Sequence, residues 1–101
     1  MANAEVIRTY ARPRRHLEEA VHVSLERLGY DERQDDNGDI VAVARPSLDS
    51  WGEDIVMEIA ERGSTTSVRY SSQAGWQLFD WGKSRRNVEA LAADVERRLD
   101  A

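Results

Sequence analysis

The chain has no cysteine among its 101 residues. That absence removes a disulfide scaffold, thiol catalysis and every thiolate-ligated metal or iron–sulfur centre. Histidine is nearly as scarce, with only His16 and His22. They stand six apart in a segment of helical spacing, about 240° around the axis, so they cannot share a metal ion. Neither has an evident nucleophile or acid beside it, so no catalytic residue and no cofactor is expected. No apolar run approaches the roughly 18 residues of a membrane span. Residues 1–10 lack the basic start and apolar stretch of a signal peptide, so the expectation is a soluble, cytoplasmic protein. The length suits one domain, residues 1–101, with its ends at 1–4 and 100–101 expected to fray.

What is abundant is charge, and it is segregated. The net charge is −5. Residues 31–61 carry two basic groups against ten acidic ones, whereas residues 62–86 carry five basic against one acidic. Such a split can steer a charged partner or make the surface self-complementary. The acidic total argues against duplex nucleic acid as a partner.

Two segments have helical periodicity. In Pro13–Leu28, Leu17, Ala20, Val21, Leu25 and Leu28 form one apolar stripe; Pro13 suits the first turn and Gly29 the position just past the end. In Lys83–Leu99 the stripe is Val88, Leu91, Ala92, Val95 and Leu99. Each stripe must lie on something. Between them the period falls to two. Asp39–Arg45 is a β-branched run, Asp54–Glu61 alternates Ile55, Met57 and Ile59 with Val56, Glu58 and Ala60, and Thr65–Ser72 places Thr66, Val68 and Tyr70 on one face. The connection at 61–64 predicts an antiparallel hairpin, and Asn37-Gly38 predicts that Tyr30–Gln34 pairs with Asp39–Arg45. Glu5–Tyr10 would add an edge strand. The reading is an α+β fold in the order (β)-α-β-β-β-β-α. An antiparallel sheet of about four strands has both helices on one face and the other face partly open.

Three features could carry function. The first is aromatic: Ser50-Trp51-Gly52-Glu53 and Asp80-Trp81-Gly82-Lys83, with Trp76 between them in a polar Gln-Ala-Gly setting. Tryptophan offers large contact area with few rotatable bonds, so Trp51, Trp76 and Trp81 are candidate partner- or ligand-binding residues. The second is the start of the last helix. Free amides, Gly82 and the cations Lys83, Arg85 and Arg86, with Ser71 and Ser72 nearby in the chain's pattern, make an anion-binding arrangement. Asp80 suits its N-cap. Gly82-Lys83-Ser84 resembles the end of a P-loop, but Gln77 stands where glycine is required. The third is carboxylate chemistry: Asp49, Glu53 and Asp54 beside Trp51, and Asp35, Asp36 and Asp39 around Asn37-Gly38. Both clusters read as solvated acidic loops, and the second lacks the EF-hand ligand pattern.

The segments Ser50-Trp51-Gly52-Glu53-x-Ile55-x-Met57-x-Ile59, Val68-x-Tyr70-Ser71-Ser72, Asp80-Trp81-Gly82-Lys83 and Asn87-Val88 are similar to those of uncharacterised bacterial domains. In these, a Ser-rich strand end leads into a helix start of the Asp-[Trp/Leu]-Gly-Lys-Asn type. The resemblance spans roughly residues 15–100 and departs from the pattern at Ser84, where asparagine is expected. It implies a small bacterial α+β domain with no activity to carry over. The expectation is a non-catalytic interaction module with a protein partner or a second copy of itself. The alternative is recognition of a small phosphate or carboxylate.

Overall fold

Pro13 sits at φ −70° and ψ 157°, its ring fixing the extended approach to α1 (Arg14–Leu28). That helix stops at Gly29, whose φ of 85° is the left-handed conformation that a side chain disfavours. The computed structural model describes residues 4–45, 53–73 and 81–100, with backbone alone at 73 and 81–83. Before α1 runs β1 (Glu5–Tyr10); after it come β2 (Tyr30–Gln34), β3 (Ile40–Ala44), β4 (Asp54–Arg62), β5 (Thr65–Gln73) and α2 (Trp81–Asp100). The sheet has five strands in the order β1-β5-β4-β3-β2, where about four were expected. All its pairings are antiparallel. The additional strand is β1, whose six residues pair along their whole length with β5, Glu5 opposite Ser71 through Tyr10 opposite Thr66. No local turn announces that pairing, because the partner strand is sixty residues away.

The turns follow their chemistry. Asp35 organises the β2–β3 turn: its Oδ1 accepts from the amides of Asn37 and Asp39, each at 2.9 Å. That acidic cluster is a hairpin turn, as its sequence suggested. Gly63, at φ 59°, opens the two-residue loop between Arg62 and Thr65 that joins β4 to β5.

Both helices lie on one face of the sheet. Leu17, Val21 and Leu25 of α1 and Val88, Leu91 and Val95 of α2 meet Ile55, Met57, Val68 and Tyr70 in one core. Burial of each large side chain contributes about 1.5–3 kcal/mol. Ala4, expected at a fraying end, is fully buried, and its carbonyl accepts from the Ser72 amide at 2.9 Å. The opposite face presents Ile7, Arg69, Glu58 and Ala60 to solvent, while Val41 and Ser71 on that face are buried. Among the described residues no helix is long and apolar enough to cross a membrane.

Candidate functional site

The two segments that carry the Trp-Gly pairs are tied together by a buried carboxylate. Glu53 directly precedes β4 and continues the alternation of Ile55, Met57 and Ile59, so its side chain falls on the helix-covered face. Ser84 precedes Val88, Leu91 and Val95 at helical spacing and is therefore carried inward by the same stripe. Ser84 Oγ donates to Glu53 Oε2, and Asn87 Nδ2 donates to Glu53 Oε1 at 2.9 Å. Glu53 is 6% exposed and Ser84 fully buried. Burying a carboxylate is costly unless its oxygens are bonded, and here both are.

The position has an electrostatic reason. The first turn of α2 contains no acidic residue, so the negative charge that its dipole favours comes from Glu53, in a different segment of the chain. The same carboxylate acts on Tyr30, which packs against the core: burial first, then the charges of Glu53 and Asp54, raise the phenol above its ordinary value. Ser72, on the helix-covered face of β5, is fully buried, and among the described residues its hydroxyl has no hydrogen-bond partner.

This corrects the reading of Asp49, Glu53 and Asp54 as a solvated acidic loop. Glu53 is buried, and Asp54 Oδ1 accepts from the Ala44 amide at 3.1 Å, holding β3 to β4. Asp49 lies outside the described residues. The missed signal was phase: Glu53 and Ser84 occupy inward positions of their respective periodicities.

The candidate residues are distributed as follows. Trp51 and Trp76 lie outside the described residues, and Trp81 opens α2, followed by Gly82 and Lys83 in its first turn. Arg85 and Arg86 are exposed, and Arg85 pairs along its own helix with Glu89 at 3.5 Å. Ser71 and Ser72 point to opposite faces of the sheet. The anion-binding set is thus divided, with Ser72 alone of the two serines on the side of α2.

Three further polar clusters link the layers. Asp94, on α2, is fully buried and meets Arg97 at 2.5 Å, Arg27 of α1 at 3.3 Å and Arg98 at 3.6 Å. Burial opposes its charge, but the neighbouring Ser24 hydroxyl, Arg97, Arg27 and the charge of Arg98 prevail and lower its pKa to about 2. Among the described residues Ser24 Oγ forms no bond of regular geometry, so it acts there as a nearby dipole. Tyr10 hydroxyl lies 2.9 Å from that of Tyr70 and donates to Glu96 at 3.0 Å, joining β1, β5 and α2. Burial raises both phenols, and Tyr70 is pushed up to about 12. His22 is held 2.8 Å from Glu32 of β2, and that bond raises the imidazole pKa.

His22 borders a groove of about 440 Å³ between α1 and β2, whereas His16 borders one of about 290 Å³ between α1 and the end of α2. Among the described residues no three His, Cys, Asp or Glu side chains come together as metal ligands. The geometry defines an antiparallel α+β domain whose two motif-bearing segments are joined by a buried Glu–Ser–Asn linkage. Neither a protein-family model nor a curated protein matches the chain.

Proposed function

We propose that the chain is a non-catalytic interaction module of bacterial type. Its contact surface is formed by the Trp-bearing segments together with the exposed part of the helix-free sheet face. The observation that carries this reading is the bond set from Glu53 to Ser84 and Asn87. It ties the start of β4 to the first turns of α2. Both carboxylate oxygens are occupied by side-chain donors, which suits a fixed structural linkage better than proton transfer. A fixed linkage beside a contact surface limits the entropy lost on association. The resemblance to bacterial domains with the same two motifs, and a cytoplasmic location, belong to this proposal.

Trp76→Ala is the test. Association or ligand binding weakens, while the melting temperature stays within a few degrees of the parent's. Unfolding of the variant would assign Trp76 to the core and remove this reading. Recognition of a small anion at Ser71, Ser72, Gly82, Lys83, Arg85 and Arg86 is the second reading, favoured by the buried hydroxyl of Ser72, which has no partner among the described residues. Against it, the Glu53 carboxylate already lies beside the first turns of α2. Phosphate titration followed by amide NMR decides between them: unmoved resonances at 81–86 with millimolar phosphate reject the anion site.

A further inference from the structure

We propose that the outer edge of β1 docks on β1 of a second copy of this chain, antiparallel and with Ile7 opposite Ile7, so that the sheet runs on through both molecules. This rests on the reading of the chain as an interaction module and names its partner.

The phase of the β1–β5 ladder determines which backbone groups are available. The Ser72 amide donates to the Ala4 carbonyl, and the register continues with Val6 opposite Tyr70 and Arg8 opposite Val68. In an antiparallel ladder, residues alternate between bonding to the neighbour and directing their amide and carbonyl the other way. Ala4, Val6, Arg8 and Tyr10 therefore face β5, and Glu5, Ile7 and Thr9 direct their backbone groups outward. Among the described residues no strand lies beyond β1. The Ile7 carbonyl is met by the guanidinium of Arg8 at 3.3 Å, as an accessible edge acceptor would be.

The side chains on this edge suit a copy of itself. Among the described residues Ile7 is the most exposed large apolar side chain, at 57%. The charges beside it are matched within the chain: Glu5 binds Arg69 at 3.1 Å, and Arg8 lies 3.6 Å from Glu96. The opposite edge is different. β2 carries the consecutive charges Asp31, Glu32 and Arg33, the usual protection against strand addition.

A two-fold axis through the Ile7 pair sets Glu5 against Thr9 of the second copy at either end. About six backbone hydrogen bonds then form, two for each of the three outward-facing pairs. Above β1 runs α2, anchored by the Tyr10–Glu96 bond, and helical spacing puts Arg85 and Glu89 on the same side of α2 as Glu96. The two-fold runs the two α2 helices past each other in opposite directions, bringing Arg85 of each toward Glu96 of the other. The charges across the axis are complementary, which favours a second copy over an unrelated strand.

Sedimentation of the full chain across roughly 10–500 µM, with amide hydrogen exchange at both extremes, tests this. A dimer is expected, with exchange at Glu5, Ile7 and Thr9 slowed as concentration rises. Ile7→Pro removes an amide that faces away from β5, and Ile7→Lys retains the amide but places a charge on the axis. Each should raise the dimer dissociation constant at least about tenfold with a native amide spectrum. If the proline variant does not fold, the lysine variant decides. A chain that stays monomeric throughout overturns the proposal. So does a dimer indifferent to a folded Ile7 variant, an outcome that would displace the contact from β1 and leave the interaction-module reading to the Trp76 variant.

Discussion

Replacing Asp94 with asparagine removes one charge and almost no volume from the α1–α2 interface, so its effect isolates electrostatics. In the folded chain the carboxyl titrates at about 2 against an ordinary value of 3.8. A difference of that size corresponds to about 2.5 kcal/mol at most. Arg27 and Arg97 are more than half exposed and screened by water, so about 1 kcal/mol is the reasonable expectation at pH 7. In a domain of this size that is about 4–8 °C in melting temperature. The sign of the pH dependence follows from the direction of the shift. Because the folded-state value is depressed, the stabilisation is complete above about pH 4 and is lost as the pH falls toward 2. Urea unfolding of parent and Asp94→Asn at pH 7, 4 and 2 measures the gap directly. It should narrow from about 1 kcal/mol to near zero across the acid range, as the parent's carboxyl becomes neutral. A gap unchanged at pH 2 would mean that shape or hydrogen-bond polarity, rather than charge, is what Asp94 supplies.

Glu53→Ala leaves Ser84 buried without its acceptor and should cost about 2–3 kcal/mol in urea unfolding; Glu53→Gln, which retains the shape, should cost less. Tyr10→Phe removes the hydroxyl that bridges Tyr70 and Glu96, for a loss of about 1 kcal/mol, measured by thermal melting. In the parent, spectrophotometric titration should show no phenolate from Tyr70 until the pH nears about 12. His22 should titrate above the ordinary 6.5 by NMR, and Glu32→Gln should bring it back down, since the bond to Glu32 is the principal cause of the rise.

Periodicity revealed the elements because each one has a single buried face. The stripes of α1 and α2 and the alternation of β4 and β5 are direct records of that burial, and Asn37-Gly38 marked its turn. The β1–β5 pairing left a weaker record, since Glu5–Tyr10 could be read as a strand but its neighbour could not be identified from local sequence. The candidate site was legible only in part. Glu53 and Ser84 are polar residues at inward phases, and a reading that assigns polar residues to solvent passes over them. The meeting of Glu53 with Asn87 depends on how α2 lies across the sheet, a tertiary fact with no local signature. The anion-binding set was assembled from proximity in the chain, whereas strand alternation separates Ser71 from Ser72.

The pairing of β1 with β5 has a consequence for how the domain comes into being. Strands β2 to β5 form a meander in which each pairs with its successor, so they can zip together across connections of two to nine residues as the chain emerges. The first strand has no such neighbour. Its ladder waits for residues 66–71, and the Tyr10–Glu96 bond waits for almost the whole chain. Closing so long a loop costs entropy before any contact repays it, which slows folding relative to a purely local topology. Nascent β1 and α1 therefore leave the ribosome with their apolar faces uncovered, and the domain is completed only when its two ends meet.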